Sequence, residues 1–378
     1  MKRKISRKLL LALLVLAGVA LIFAGCARDE QEIAIGVAGA HSGDLASYGI
    51  PSVNAAQLVV DMWNENGGVM GRQVRLIVED DVCQPEVAVN TAAKLVGDGV
   101  VGVIGHICSG ATRAALGTYV DSEIPVISPS STSPSLTQDG QHPNFFRTIA
   151  SDDAQARLQV DFVINELGLS RVAVLHDQGD YGRGLAEFAR DFINEESGID
   201  VVMFDGVTPG AVDYSAVINR VAQSNAEVVI YGGYHPEASR LVGQMRDRGM
   251  ETLFVSGDGV MDDTFIRVAG AAAEGVYATS PMDTSTNPVA VNAAERHRAR
   301  YGDEPGAFFL NAYAATQALL NAINVAESTA YADVTAALRN STVETPLGPI
   351  SFDERGDATG VGFSMYQVQN GSYVELGN

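Results

Sequence analysis

The chain is 378 residues long, room for two domains of ordinary size. Apolar residues make up 46% and charged residues 19%, a globular composition that excludes a largely disordered chain. The formal net charge of −21 would repel phosphate backbones, which argues against nucleic acid as a partner.

Taken in chain order, residues 1–25 stand apart. "MKRKISRK" carries five positive charges, and "LLLALLVLAGVALIFAG" then runs apolar up to Cys26. A basic start, an apolar stretch and small residues before a cut site predict an export signal. The run is also long enough for a short membrane anchor. Phe23-Ala24-Gly25-Cys26 resembles a bacterial lipobox, with phenylalanine where leucine is usual, and favours cleavage with lipid on Cys26. Losing residues 1–25 would leave 20 basic against 46 acidic residues, a net charge of −26. It would also leave two cysteines, Cys83 and Cys108, and in an exported protein an even remainder reads as one disulfide.

Beyond a short polar linker, "IAIGVAG" (Ile33–Gly39) predicts a buried strand. Pro51 to Asn66 predicts a helix, with Ala55, Val59, Met62 and Trp63 on one face and Gly67-Gly68 as its stop. A strand in "RQVRLIVEDD", a helix over Pro85–Gly97, a strand over Val100–Gly105, a helix over Ala111–Asp121 and a strand over Pro125–Ser128 follow. Such alternation means a parallel sheet covered on both faces. The rhythm then repeats, with strands at Arg171–His176, Val201–Asp205, Glu227–Gly232 and Leu253–Ser256 and helices near Leu185–Glu196, Ala216–Gln223 and Ala238–Arg248. Helices over Val289–Tyr301, Ala307–Val325 and Asp333–Asn340 precede a hairpin-like tail with turns at Arg355-Gly356-Asp357 and Asn370-Gly371.

The expected fold class is therefore α/β, two doubly wound lobes joined by crossover strands, with "FFRTIASDD" and "YATSPMD" as crossings. One lobe would hold residues 26–149 and 281–356, the other 150–280 and 357–378. Several short crossings imply a hinge and a cleft, with ligands expected at the carboxyl ends of strands.

The motifs sort accordingly. Gly97, Gly99 and Gly102 spell G-x-G-x-x-G, but after a helix and before a strand, the reverse of the dinucleotide context. His106 and Cys108 share a strand face, yet no third group that would orient them as a nucleophile and base is evident. The six histidines never pair at metal-ligand spacing, so neither metal nor cofactor is expected. Ser109 follows a strand and opens a helix whose first N–H groups lack partners, a prepared carboxylate site. Ser130, Ser131 and Thr132 in "ISPSSTSPSL" repeat the arrangement one strand later; helix caps and turn shaping are the competing role for all four. From the second unit, Tyr181, Tyr234 and Asp258 fall at matching strand ends. Asp258 could meet a ligand ammonium, or simply shape an Asp-Gly turn.

Together "VEDDVC", "GHICSGAT", "ISPSSTSPSL", "VLHDQGDYGRGLA", "VVIYGGYHPE" and "PGAFFLNAYAA" resemble, over nearly the whole mature chain, the periplasmic leucine/isoleucine/valine-binding proteins that feed amino-acid ABC importers. The resemblance implies the type I periplasmic binding fold and a non-enzymatic binder of an aliphatic L-amino acid. Such a binder would be monomeric, anchored to a membrane only through lipid, and would dock on the importer's permease subunits. It assigns Ser109 and Thr132 to the ligand carboxylate, and the Ser130 carbonyl, Thr132 hydroxyl and Asp258 to its ammonium. Tyr48, Tyr181, Tyr234 and Phe308 would wall the side-chain pocket, and Cys83–Cys108 would be the family disulfide. Asp258 stands where the family commonly has glutamate, and Ser130 and Ser131 replace alanines, which blurs the side-chain preference. The alternatives are a binder of another small amino acid, an amide or an aromatic acid, an extracellular sensor domain, or an enzyme using Ser109 or Cys108.

Overall fold

The computed structural model describes residues 32–377; the export signal and Cys26 lie outside them. Two sheets carry the molecule. The first contains β1 (Ile33–Gly39), β2 (Val74–Asp80), β3 (Val103–Ile104), β4 (Val126–Ser128) and β5 (Phe145–Arg147), all parallel, in the order β2-β1-β3-β4-β5. Its intervening helices are α1 (Ala46–Glu65), α2 (Pro85–Gly97), α3 (Ser109–Asp121) and the single turn α4 (Ser135–Gln138).

The second sheet holds β6 (Arg171–His176), β7 (Asp200–Gly206), β8 (Val228–Gly232), β9 (Leu253–Ser256) and β10 (Tyr277–Pro281). Its parallel part runs β10-β9-β8-β6-β7. Read from β7, that is the order of the first sheet again. Helices α5 (Asp152–Asn165), α6 (Asp180–Glu195), α7 (Ser215–Ser224), α8 (His235–Asp247) and α9 (Asp263–Ala269) flank it. In each sheet the strand order reverses once, between β1 and β3 and between β6 and β8, and such reversals open a crevice at the carboxyl ends of the strands.

Helices α10 (Pro288–Tyr301), α11 (Phe309–Ala326) and α12 (Tyr331–Asn340) return to the first sheet. There Phe309, Tyr313, Leu319, Leu320 and Ile323 share one core with Ile33, Ile35, Val37, Val59 and Ile127. A two-stranded ribbon, β11 (Val343–Thr345) and β12 (Gly348–Ile350), follows. The chain then crosses back to add the antiparallel strands β13 (Phe363–Gln369) and β14 (Ser372–Glu375) beside β10. Asn370 and Gly371, both in the left-handed region, make the two-residue turn between them. Asp353 Oδ1 accepts from the N–H groups of Arg355, Gly356 and Asp357, each at 2.9 Å, fixing the earlier turn.

Several expected boundaries move by a few residues, two of them for a visible reason. Helix α1 begins at Ala46 rather than at Pro51, which lies inside it. A proline there forfeits one backbone bond, while the extra turn buries Tyr48 and Gly49, so packing overrides the proline signal. The strand expected over Val100–Gly105 shrinks to Val103–Ile104. Gly105 takes φ +122, and a Cβ on it would stand 2.0 Å from the Ala38 carbonyl oxygen. The backbone thus leaves the sheet hard against β1, a path open only to glycine. Ser109 consequently follows a four-residue loop rather than the strand itself.

Candidate functional site

The first sheet contributes a loop and a helix start. Ser109 is the first residue of α3, and the preceding Cys108 makes no side-chain cap bond, leaving the helix's leading N–H groups available. Cys108 is joined to Cys83 across a Cα separation of 5.5 Å, so the thiol is no nucleophile. His106 does have orienting groups, contrary to expectation. Its Nδ1 lies 2.5 Å from Asp81 Oδ2 and its Nε2 lies 3.0 Å from the Tyr119 hydroxyl. All three are fully buried, a structural cross-brace.

One strand on, Ser128 Oγ accepts from the N–H groups of Ser130 (3.3 Å) and Ser131 (2.9 Å) and donates to the His106 carbonyl at 2.6 Å. Ser130 Oγ donates to the Ile107 carbonyl at 2.8 Å, locking the two loops together. Arg147, fully buried at the end of β5, holds this loop from beneath. Its Nη1 donates to the carbonyls of Ser131 (3.3 Å), Thr132 (2.8 Å) and Ser133 (3.0 Å), its Nη2 to Thr137 Oγ1 (2.9 Å) and its Nε to Asp357 (2.5 Å).

The second sheet supplies the acid. Asp258 opens a 3₁₀ turn after β9 and is 2% exposed. Its Oδ1 accepts from the Tyr181 hydroxyl at 2.6 Å and from Gln155 Nε2 at 3.1 Å, while its N–H donates to Gln155 Oε1 at 2.8 Å. Gly257 beside it admits no side chain, because a Cβ would stand 2.4 Å from the Tyr181 hydroxyl. Burial pushes the Asp258 carboxyl up to about 6, against the Tyr181 and Gln155 hydrogen bonds that favour its charged form.

These groups meet in a small cavity between the sheets. Tyr48, Ile107, Ser109, Ser130, Tyr181, Tyr234, Asp258, Gly259 and Phe308 line it, and Asp258 is the one charged side chain among the described lining residues. Tyr48 reaches across from α1, and its hydroxyl donates to the Gly259 carbonyl at 2.6 Å. Its ring lies 5.7 Å from that of Phe308 and 6.3 Å from that of Tyr234, which lies 5.2 Å from Tyr181. Phe308 is held at φ +59, a strained setting for an aromatic residue, at the start of α11. The result is an aromatic-walled cavity lined both by the start of α3 and by a buried carboxylate. That pattern suits a small molecule with opposite charges and an apolar body.

Of the nine expected ligand residues, seven line the cavity. Ser131 turns away, its Oγ 2.6 Å from Thr112 Oγ1 and donating to the carbonyls of His106 and Ile107. Thr132 is fully buried; its hydroxyl has no well-formed hydrogen bond, yet lies close enough to Asp152 to favour that carboxylate's charged form. Sequence reasoning missed Ile107, Arg147, Asp152 and Gln155. Only Arg147, a lone cation inside the apolar run "FFRTI", left a signal.

Two like-ordered α/β units closing on a cavity so lined define a two-lobed solute-binding fold. Residues 32–372 match the family model described as periplasmic binding protein, and the chain belongs to that family. It is 35% identical to the Leu/Ile/Val-binding protein of Escherichia coli over 353 residues, 93% of this chain and 95% of that protein. Among solved structures, a leucine-binding protein from Thermotoga maritima superimposes with a TM-score of 0.85 at 27% identity, over 91% of this chain and 98% of that one. The branched-chain amino acid transporter substrate-binding protein of Streptococcus pneumoniae, solved with isoleucine, gives 0.81 at 27% identity, over 92% of this chain and all of that one.

Proposed function

We propose that this protein is an exported, non-enzymatic solute-binding lipoprotein that captures a branched-chain or other aliphatic L-amino acid and delivers it to the permease of an ABC importer. The observation that carries this reading is that one cavity is lined by two polar features of complementary use: the start of α3 at Ser109 for a carboxylate, and buried Asp258 for an ammonium. Ile107, Phe308 and the rings of Tyr48 and Tyr234 give the rest of the cavity a largely apolar and aromatic wall, which favours an aliphatic side chain. The names of the relatives point the same way. An aromatic acid or amide lacking an ammonium would leave the Asp258 carboxylate buried and unpaired, a costly arrangement.

In this account residues 26–149 with 281–356 and residues 150–280 with 357–378 are the two moving lobes, hinged at the crossings. Cys26 carries the lipid that keeps the monomer at the membrane. Leucine has about nine non-hydrogen atoms, so about −13 kcal/mol is the ceiling for binding before closure costs, and sub-micromolar affinity is physically allowed. The test is a thermal-shift screen of the twenty amino acids. Leucine, isoleucine or valine should stabilise most, and no response to any amino acid would refute the reading.

A further inference from the structure

A second acid stands behind Asp258. Asp152, the first residue of α5, is fully buried, and Gln155 one turn later joins the two. Gln155 Nε2 donates to Asp152 Oδ1 at 2.8 Å and to Asp258 Oδ1 at 3.1 Å, while its Oε1 accepts from the Asp258 N–H and from the Thr279 hydroxyl at 2.7 Å. Asp152 Oδ2 has no well-formed hydrogen bond, with the Thr132 hydroxyl close by.

The groups that face this pair do little to neutralise it. Tyr48 from α1, Tyr181 from α6 and Tyr234 at the start of α8 are phenols whose burial drives their ionisation far above neutral pH. Arg147 from β5 is the cation that acts on Asp152, but its N–H groups are committed to Asp357, Thr137 and three loop carbonyls. Thr132 and Thr279 bring hydroxyls only. Two buried carboxyls that share one carboxamide and lack a dedicated cation cannot both ionise at low cost. Burial and the charge of Asp258 both raise the Asp152 carboxyl well above the usual range.

The geometry points to Asp152, Gln155 and Asp258 as one proton-holding unit whose proton is expelled to solvent when a ligand ammonium arrives beside Asp258. This rests on the reading of Asp258 as the ammonium acceptor. The balance is simple: the singly protonated pair and a zwitterion give a complex with both carboxylates ionised, plus one proton taken up by buffer. The ligand keeps all its ammonium protons and no covalent bond in it changes. Asp152 is thus a positioning and charge-setting residue, and its effect should be seen in pH dependence rather than in the presence of a binding site.

The experiment is titration calorimetry of the intact protein with leucine, isoleucine and valine, in phosphate and in imidazole, from about pH 6 to 7.5. The unit predicts an enthalpy that differs between buffers by up to about one proton's ionisation, with affinity rising up to about tenfold per pH unit until the pair is ionised. Asp152→Asn should still bind, with proton release and pH slope largely lost. Equal enthalpies in both buffers with a flat pH profile would overturn the inference while leaving amino-acid binding intact. Proton release from Asp152→Asn equal to wild type would remove Asp152 from the unit. Failure of every amino acid to bind would overturn both the inference and the proposed function.

Discussion

Asp258 carries two opposed consequences, one for folding and one for binding. Its carboxyl sits higher in the folded chain, at about 6, than the 3.8 of an exposed aspartate, so the folded state holds its proton longer. A carboxyl shifted upward contributes least stability once pH exceeds the folded value; its contribution fades as pH rises from about 4 through 6. Asp177, also buried and also pushed to about 6, adds to the same trend. Asp258→Asn should therefore raise the ligand-free melting temperature at pH 7.5, with the gain shrinking toward pH 4.5, while weakening amino-acid binding about 100-fold or more. Melting curves across pH, paired with calorimetry, check both halves; unchanged affinity would contradict the ammonium assignment. Arg147 offers a different test. Replacing it with Met would strip three loop carbonyls and Asp357 of their partner, and should cost about 3–5 kcal/mol in chemical denaturation.

At the scale of elements, the staple between Cys83 and Cys108 ties the chain after β2 to the residue that precedes α3. It closes a separation of 25 residues. Restricting the unfolded chain to that extent is worth about 3 kcal/mol, so Cys83→Ser with Cys108→Ser should lose that much in urea titration. The alternation of helix and strand was legible because apolar runs and helical periodicity are local properties. Helix Pro85–Gly97 and strands Ile33–Gly39, Arg171–His176 and Leu253–Ser256 run as their sequences predict. The start of α1 and the length of β3 were not, because burial of Tyr48 and the approach of Gly105 to Ala38 are decided by contacts distant in sequence. The site divides in the same way. Ser109 and Asp258 were legible as polar groups at the ends of apolar runs. Gln155 was hidden, because its meaning lies in Asp258, 103 residues further on. Ser131 could not be told from Ser130, since only the fold decides which neighbour of a serine pair faces the cavity and which faces Thr112.

The whole molecule is a pair of like-ordered sheets brought together at their carboxyl ends. Tyr48 to Gly259 closes the cavity itself, Arg113 Nε donates to Asp180 at 2.7 Å on the rim, and Ser47 Oγ lies 3.4 Å from His235 Nε2. The rim pair is partly exposed, and such pairs contribute about 0–1 kcal/mol, so Arg113→Ala should weaken ligand retention by about fivefold at most in stopped-flow release. Under the proposed reading, closure would draw instead on desolvating a charge-matched ligand between helix amides and carboxylate. The most direct measurement compares leucine with N-acetyl-leucine and with 3-methylbutylamine by titration calorimetry on the wild-type protein. A cavity that reads both charges predicts tight binding of leucine and a loss of at least about 100-fold for either single-charge analogue. N-acetyl-leucine binding as tightly as leucine would contradict the account, because it would mean that Asp258 does not read an ammonium.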